Sequence, residues 1–273
     1  MKASLIVTTY NRPDALQAVL RGLAAQVDQE FEVVVADDGS TADTAQLIQT
    51  LAHDYPVPLR HVWQEDQGFR AGAARNRACA QANGEYWIFL DGDCIPLPGF
   101  VGEHKRLAQP GCFVAGNRIL RSDSFTHRAL AQQLPLHARH RGQWLVDRLL
   151  GRINRWLPLV HAADGAWRLR SPHRWQGART CNLAVWRQDF VAINGFDESY
   201  AGWGHEDADL AVRLIRRGVQ RKDGRFATAV LHLWHPENDR SQLEDNVRRL
   251  EAILSNQSTQ ARRGYSQYAL TAH

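Results

Sequence analysis

Tyr86-Trp87-Ile88-Phe89-Leu90-Asp91-Gly92-Asp93 is the stretch from which the rest of the chain can be read. Its apolar run, with a glycine before it and a glycine in its acidic tip, predicts a buried strand of a parallel sheet. Asp91 and Asp93 then emerge at the carboxyl end of that strand, the edge along which open α/β sheets form their ligand crevice. Two carboxylates about 4 Å apart repel by roughly 4 kcal/mol at an effective dielectric near 20, so a site that keeps both ionised draws in a cation. Hard oxygen ligands suit Mg²⁺ or Mn²⁺, with substrate phosphates completing the shell. An Asp-Gly pair is also an ordinary solvated turn, and the neighbouring sequence decides between the two.

That neighbouring sequence is βα grammar. Residues 3–9 predict a first strand, and Pro13 suits the first turn of the helix that carries Leu16, Val19, Leu20 and Leu23. Residues 31–36 form a second strand ending in Asp37-Asp38-Gly39-Ser40, where Ser40 and Asp43 read as a capping box for the next helix. A third strand at 59–63 precedes Gln67-Gly68-Phe69-Arg70-Ala71-Gly72-Ala73-Ala74-Arg75-Asn76, which opens a helix reaching about residue 83. Backbone N–H groups at such a helix start, with arginines beside them, suit a phosphate. Alternating strands and helices of this kind build a mostly parallel sheet.

Beyond a strand at 112–116, regular patterning fades until about residue 180. The segment 121–180 holds eleven arginines against three aspartates, with no lysine or glutamate, and four of the nine tryptophans. This suggests an anionic partner, a sugar or a membrane surface, with nucleic acid also to be weighed. Within it, residues 143–159 have helical spacing and could lie on a membrane or close over the site as a lid. Order returns at Thr180-Cys181-Asn182, then Gly195-Phe196-Asp197-Glu198. Gly202-Trp203-Gly204-His205-Glu206-Asp207-Ala208-Asp209 follows, opening a helix that Gly218 stops. A last strand, 227–233, delivers His232 and His235, a polar helix runs from about 241 to 255, and the tail from 257 is expected to fray. The four cysteines show no framework spacing and no run approaches eighteen apolar residues. Both point to a reducing, cytoplasmic location, with peripheral contact at the inner membrane face left open.

Taken in order, VTTYNRP, VVADDGS, QGFRAGAARN, FLDGDC, CNLAVWR, GFDE and GWGHEDADL resemble the family-2 glycosyltransferases of the GT-A fold. The second half is similar to bacterial chondroitin-polymerase domains and β-1,4-galactosyltransferases. The resemblance implies one α/β domain over 1–256. Its nucleotide-sugar half would be 1–116, its basic insert or lid 117–180 and its acceptor half 181–256, with 257–273 a flexible tail. It implies a metal-dependent, inverting transfer from a nucleotide sugar, with UDP favoured, to a saccharide or lipid-linked saccharide in bacterial surface polysaccharide or lipopolysaccharide synthesis. The partners it implies are saccharides, with no nucleic acid. By position it assigns Thr8, Tyr10, Arg12, Asp38, Gln67, Arg75, Asn76 and Asp91 to the nucleotide sugar. Asp93, Asp91 and His235 (preferred over His232) go to Mn²⁺ or Mg²⁺, Trp203, Glu206 and Asn182 to the acceptor, and Asp207 to the general base. Its flanking carboxylates Glu206 and Asp209 are expected to raise the pKa of Asp207.

Three other classes share parts of this pattern. A dinucleotide-dependent oxidoreductase should show GxGxxG after the first strand, where TTYNRP has no glycine. A nucleotidyltransferase would carry a glycine-rich basic loop there. A non-catalytic saccharide-binding module could dispense with Asp93 or Asp207, and both are present.

Overall fold

In the computed structural model, whose described residues are 1–155, 160–237 and 239–269, the decisive strand is β4, Tyr86–Asp91. Tyr86, Ile88 and Leu90 enter one hydrophobic layer and Trp87 and Phe89 the other. The strand β1 (Ala3–Thr9) divides in the same way, Leu5 and Val7 from Ile6, as does β2 (Phe31–Asp37). Strands covered on both faces have no side to leave polar, which is why their sequences run apolar without alternation.

The first half follows the expected order: β1, α1 (Pro13–Ala24), β2, α2 (Ala42–Ala52), β3 (Leu59–Trp63), α3 (Ala71–Ala80) and β4. After it come β5 (Cys94–Pro96), α4 (Phe100–Leu107), β6 (Cys112–Ala115), β7 (Asn117–Leu120), α5 (Asp123–Ala131) and α6 (Arg141–Leu149). The last third holds β8 (Asn182–Trp186), α7 (Arg187–Ala192), α8 (Glu206–Arg216), β9 (Gln220–Asp223), β10 (Ala229–His232), α9 (Leu243–Ser255) and α10 (Ser266–Ala269). The central sheet runs β3-β2-β1-β4-β8-β6-β9, parallel except where β8 lies antiparallel between β4 and β6. A small second sheet, β5-β10-β7, sets His232 opposite Cys94 and so carries a histidine to the acidic turn after β4.

That turn is held tightly. Gly92 N–H donates to Thr8 O at 2.7 Å. A Cβ at Gly92 would stand 2.9 Å from the same oxygen and 3.1 Å from Thr9 Oγ1, so the approach needs glycine. Asp38 N–H donates to Thr9 O at 3.0 Å, which ties the ends of β1 and β2 as well.

Three expectations are corrected. Ser40 does not cap α2: Thr41 occupies the N-cap and no side chain bonds there. The Ser40 hydroxyl instead accepts from Asn11 N–H at 2.9 Å, and its own N–H donates to Asp37 Oδ1 at 2.8 Å, joining the loops after β1 and β2. Between 117 and 180 the chain is more regular than its sequence pattern, with β7, α5 and α6 in place. Its organiser is an ionic hub, not an apolar stripe. The buried Asp147 accepts from Arg121 at 3.0 Å and from Arg139 and Arg152 at 3.2 Å, and all three guanidinium groups face the Phe125 ring at 4.2–5.3 Å. Burial lowers Arg121 to a pKa of about 10 against the pull of Asp147. Helix α6 realises the first half of the 143–159 expectation, and residues 156–159 lie outside the described residues.

The third correction concerns the tail. Ala261 and Tyr265 are buried, and their N–H groups donate to Ile193 O (2.9 Å) and Asn194 O (3.0 Å). The Tyr265 ring lies 6.0 Å from Trp87 and 6.1 Å from Phe190. Tyr265→Ala is expected to cost about 3 kcal/mol in urea unfolding, the scale of a buried aromatic truncation. A frayed tail would leave the midpoint unchanged.

Candidate active site

The site is built on the carboxyl ends of β1, β2 and β4 and on one buried cation from α3. Arg75 Nε donates to Thr8 Oγ1 at 2.9 Å, Nη2 to Asp91 Oδ1 at 3.0 Å and Nη1 to Glu206 Oε1 at 3.5 Å, with the guanidinium 5.3 Å from the Phe196 ring centroid. Burial alone would lower its pKa, but Asp91, Glu206 and Asp207 outweigh burial and keep it protonated. The carboxylates are raised as well, which for them favours the neutral form. Burial, opposed by Arg75 and assisted by Asp93 and Asp207, raises Asp91 to about 6. Burial and repulsion from Asp207 raise Glu206 to about 7, with Arg75 opposing.

On the β2 side, Asp38 is buried and accepts from Gln64 Nε2 and from Arg70 N–H, each at 2.7 Å. Burial raises it to about 6 despite these bonds. Tyr10 is exposed and its hydroxyl donates to Asp66 Oδ2 at 2.9 Å, while Arg12 sits 3.8 Å from Asp14. Gln67 is exposed and bonded to Glu65 at 3.1 Å. Thr8, Arg75 and Asp91 are thus in mutual contact, and Tyr10 and Asp38 are tied to the 64–70 loop.

Beyond the turn, Asp93 is flanked by both candidate histidines. His232 Nε2 lies 3.7 Å from its Oδ1 and His235 Nε2 3.4 Å from its Oδ2. Among the described residues, Asp93, Cys94 and His232 have ligand atoms all within 4.8 Å of one another. Burial drives the Cys94 thiol well up, so it stays a thiol and a poor partner for a hard ion. Burial drives His232 down to about 4 with Asp93 opposing, leaving the neutral imidazole that ligation requires. His235 has its Nδ1 2.6 Å from Pro236 O, the tautomer that leaves Nε2 free to ligate. A carboxylate with two imidazole nitrogens would suit Mn²⁺ better than Mg²⁺, which prefers an all-oxygen shell.

The opposite wall is the start of α8. Gly202 has φ +72°, and a Cβ there would lie 2.7 Å from Gln242 Cβ, so a side chain is excluded where the turn passes α9. Trp203 follows, partly exposed, with the Arg240 guanidinium 5.4 Å from its ring centroid. Asp207 Oδ1 accepts from Thr180 Oγ1 at 2.6 Å, which fixes one carboxylate oxygen. Asp209 points away and binds Arg213 Nε at 2.8 Å in the core. Within the acidic cluster, burial raises both Glu206 and Asp209, with Arg213 opposing at Asp209.

Two residues assigned to ligands are structural. Asn76 is fully buried: its amide donates to Phe196 O at 2.9 Å and Glu198 at 3.0 Å, and its oxygen accepts from Phe196 N–H at 2.9 Å. Asn182 is likewise buried in β8, bonding Asn117 O at 3.0 Å, Thr228 O and His104 Nε2 at 3.0 Å. Both sit among functional motifs and are polar, but every polar atom is spent on the fold. Thr180 was not anticipated, and no pattern marks it apart from its place just before Cys181-Asn182.

The chain is similar to known proteins. Residues 4–174 match the model of glycosyl transferase family 2, and residues 161–236 match the N-terminal domain of galactosyltransferase. The chain belongs to glycosyl transferase family 2. It is 30% identical over 230 residues to validoxylamine A glucosyltransferase of Streptomyces hygroscopicus subsp. jinggangensis, covering 79% of this chain and 52% of that protein. It is 30% identical over 234 residues to the hyaluronan synthase of Pasteurella multocida, covering 79% of this chain and 23% of that one. The chain thus spans about half or less of the length of these relatives. The structure of S. aureus TarS 1-349 in complex with UDP-GlcNAc superposes with a TM-score of 0.60 at 18% identity, over 100% of this chain and 72% of that one, which establishes the GT-A fold.

The Glu206 shift yields a signed test. A carboxyl group whose folded pKa is raised from its ordinary 4.5 to about 7 adds stability that is present below about pH 4.5 and lost as pH rises through 7. Unfolding free energies of the protein and of Glu206→Gln, measured between pH 5 and 8, should converge or cross with rising pH. The wild type should lose on the order of 2 kcal/mol relative to the variant.

Proposed function

We propose that the protein transfers a sugar from a UDP-sugar to a saccharide or lipid-linked saccharide with inversion at the anomeric carbon, and that Asp207 is the general base. The observation that carries this reading is the position of Asp207. It opens α8 beside Glu206, which touches Arg75, which in turn touches Asp91 at the donor end of β4. One chain of contacts thus links the residues proposed for donor and acceptor.

In this reading Asp38 accepts the imide N–H of the uracil, Tyr10, Arg12 and Gln67 border the nucleotide, and Thr8 and Asp91 face the ribose and diphosphate. Arg75 holds Asp91 and Glu206 at a fixed separation across the sugar. Asp93, with His232 and His235, would hold Mn²⁺, and Asp91 would complete its surroundings; when bound, the cation offsets the charge that builds on the departing diphosphate. Trp203 gives the acceptor sugar a flat apolar face, and Glu206, protonated near neutral pH, donates to a sugar hydroxyl. The acceptor hydroxyl gives its proton to the free oxygen of Asp207, while Thr180 keeps the other oxygen from turning away. The arginine-rich insert and the four buried, unpaired cysteines support a cytoplasmic setting at the inner membrane face. No helix among the described residues is long and apolar enough to cross a membrane.

Two measurements test the reading. Asp93→Ala should abolish the Mn²⁺-dependent part of UDP binding in calorimetry while leaving the melting temperature within a few degrees; UDP affinity indifferent to Mn²⁺ in the wild type would refute the metal assignment. Asp207→Asn should lower turnover by about 10²- to 10⁴-fold with UDP affinity preserved. A product retaining the donor's anomeric configuration, or near-normal turnover, would remove Asp207 from the role.

A further inference from the structure

Helix α6 is turned against the usual rule. Its inward side carries Trp144 and the carboxylate of Asp147, both buried. Outward stand Leu145, Val146, Leu149 and the adjoining Leu150, at 57, 48, 77 and 59% exposure. The orientation is locked. Trp144 Nε1 donates to Arg139 O at 3.0 Å, and Asp147 is gripped by Arg121, Arg139 and Arg152. Rolling the helix to bury its leucines would leave the wholly buried Arg121 side chain without its counter-charge. Four large apolar side chains within six residues also form a patch, unlike the scattered singles of an ordinary surface.

The sequence that carries this patch is basic. From 124 to 155 there are six arginines and one acidic residue, the buried Asp147. Arg141 and Arg148 on α6 and Arg155 just beyond it are exposed. A second copy of the chain would bring the same arginines against this face and be repelled. An apolar ridge with basic flanks instead matches a bilayer with anionic headgroups, leucines in the acyl boundary and guanidinium groups among the phosphates.

We propose that α6 is a membrane-contact element that seats the protein on anionic phospholipid bilayers. The proposal rests on the reading of the protein as acting at the inner membrane face and supplies the surface that reading lacks. It also orients the site. Arg121 N–H donates to His232 O at 2.9 Å, so the hub that holds α6 is joined directly to the strand carrying the Asp93 histidine.

The test is co-sedimentation of the full chain with vesicles of phosphatidylcholine alone and of phosphatidylcholine with about 30% phosphatidylglycerol. Binding is expected only to the anionic vesicles and should weaken as salt rises. Leu145→Glu/Leu149→Glu should reduce it by at least about tenfold, and Arg141→Gln/Arg148→Gln should reduce the preference for phosphatidylglycerol. Unchanged Mn²⁺-dependent UDP binding and circular dichroism would show both variants folded. That readout also separates the two ideas: loss of UDP binding in the wild type would count against the transferase reading, whereas vesicle binding reports on α6 alone. No binding at low salt, equal binding by wild type and the leucine variant, or a vesicle-free dimer that the leucine variant dissociates would overturn the proposal.

Discussion

A single buried guanidinium holds the two functional walls together. Arg75 reaches β1 through Thr8, β4 through Asp91 and α8 through Glu206, and its ring partner Phe196 belongs to the segment before α8. A buried arginine without counter-charges would be costly, and three acidic groups crowded without a cation equally so. Each requirement satisfies the other. The protonated arginine is what allows carboxylates of raised pKa to stand in a dry crevice, poised between charged and neutral forms near physiological pH.

The scaffold makes this arrangement stiff. The ends of β1, β2 and β4 are joined by backbone bonds at Thr8, Thr9, Asp38 and Gly92, so the acidic turn cannot move apart from its neighbours. The antiparallel β8 then changes the direction of the sheet, and Asn182 at its start binds β7, the residue before β10 and His104 of α4. Through this residue β8 of the large sheet is tied to β7 and to the chain entering β10 in the small sheet that bears His232. The histidine meets the carboxylate because β10 pairs with β5 directly after Asp93, with Leu233 N–H donating to Asp93 O at 2.9 Å.

The parts legible in the sequence were those written in hydrophobic pattern. Two-sided burial made β1, β2 and β4 continuous apolar runs, and the acidic residues at their exits fell where parallel sheets put ligands. Polar residues were harder. Asn76 and Asn182 sit in motifs beside proposed site residues, and nothing in a sequence tells an amide that binds ligand from one that binds backbone across 46 or 120 positions. Thr180 matters only because the fold brings it 2.6 Å from a residue 27 positions on. The insert looked irregular because Asp147 and its arginines organise it, and ionic hubs leave no period to read. The tail looked frayed because Tyr265 sits in a polar run and is meaningful only opposite Trp87 and Phe190.

That docking of residues 261–265 has a consequence for how the molecule comes into being. The turn at 194–198 receives Ala261 and Tyr265 on one side and is held by Asn76 of α3 on the other, one residue from Arg75. On the ribosome, β4 and α3 emerge long before Tyr265. Until then the Trp87 and Phe190 rings lack part of their cover, and the turn that carries Phe196 under Arg75 is braced from one side only. Residues remote from the crevice thus close it in time: the nascent chain holds every proposed catalytic side chain by residue 235, yet must wait some thirty residues of further synthesis before the Arg75 layer is sealed.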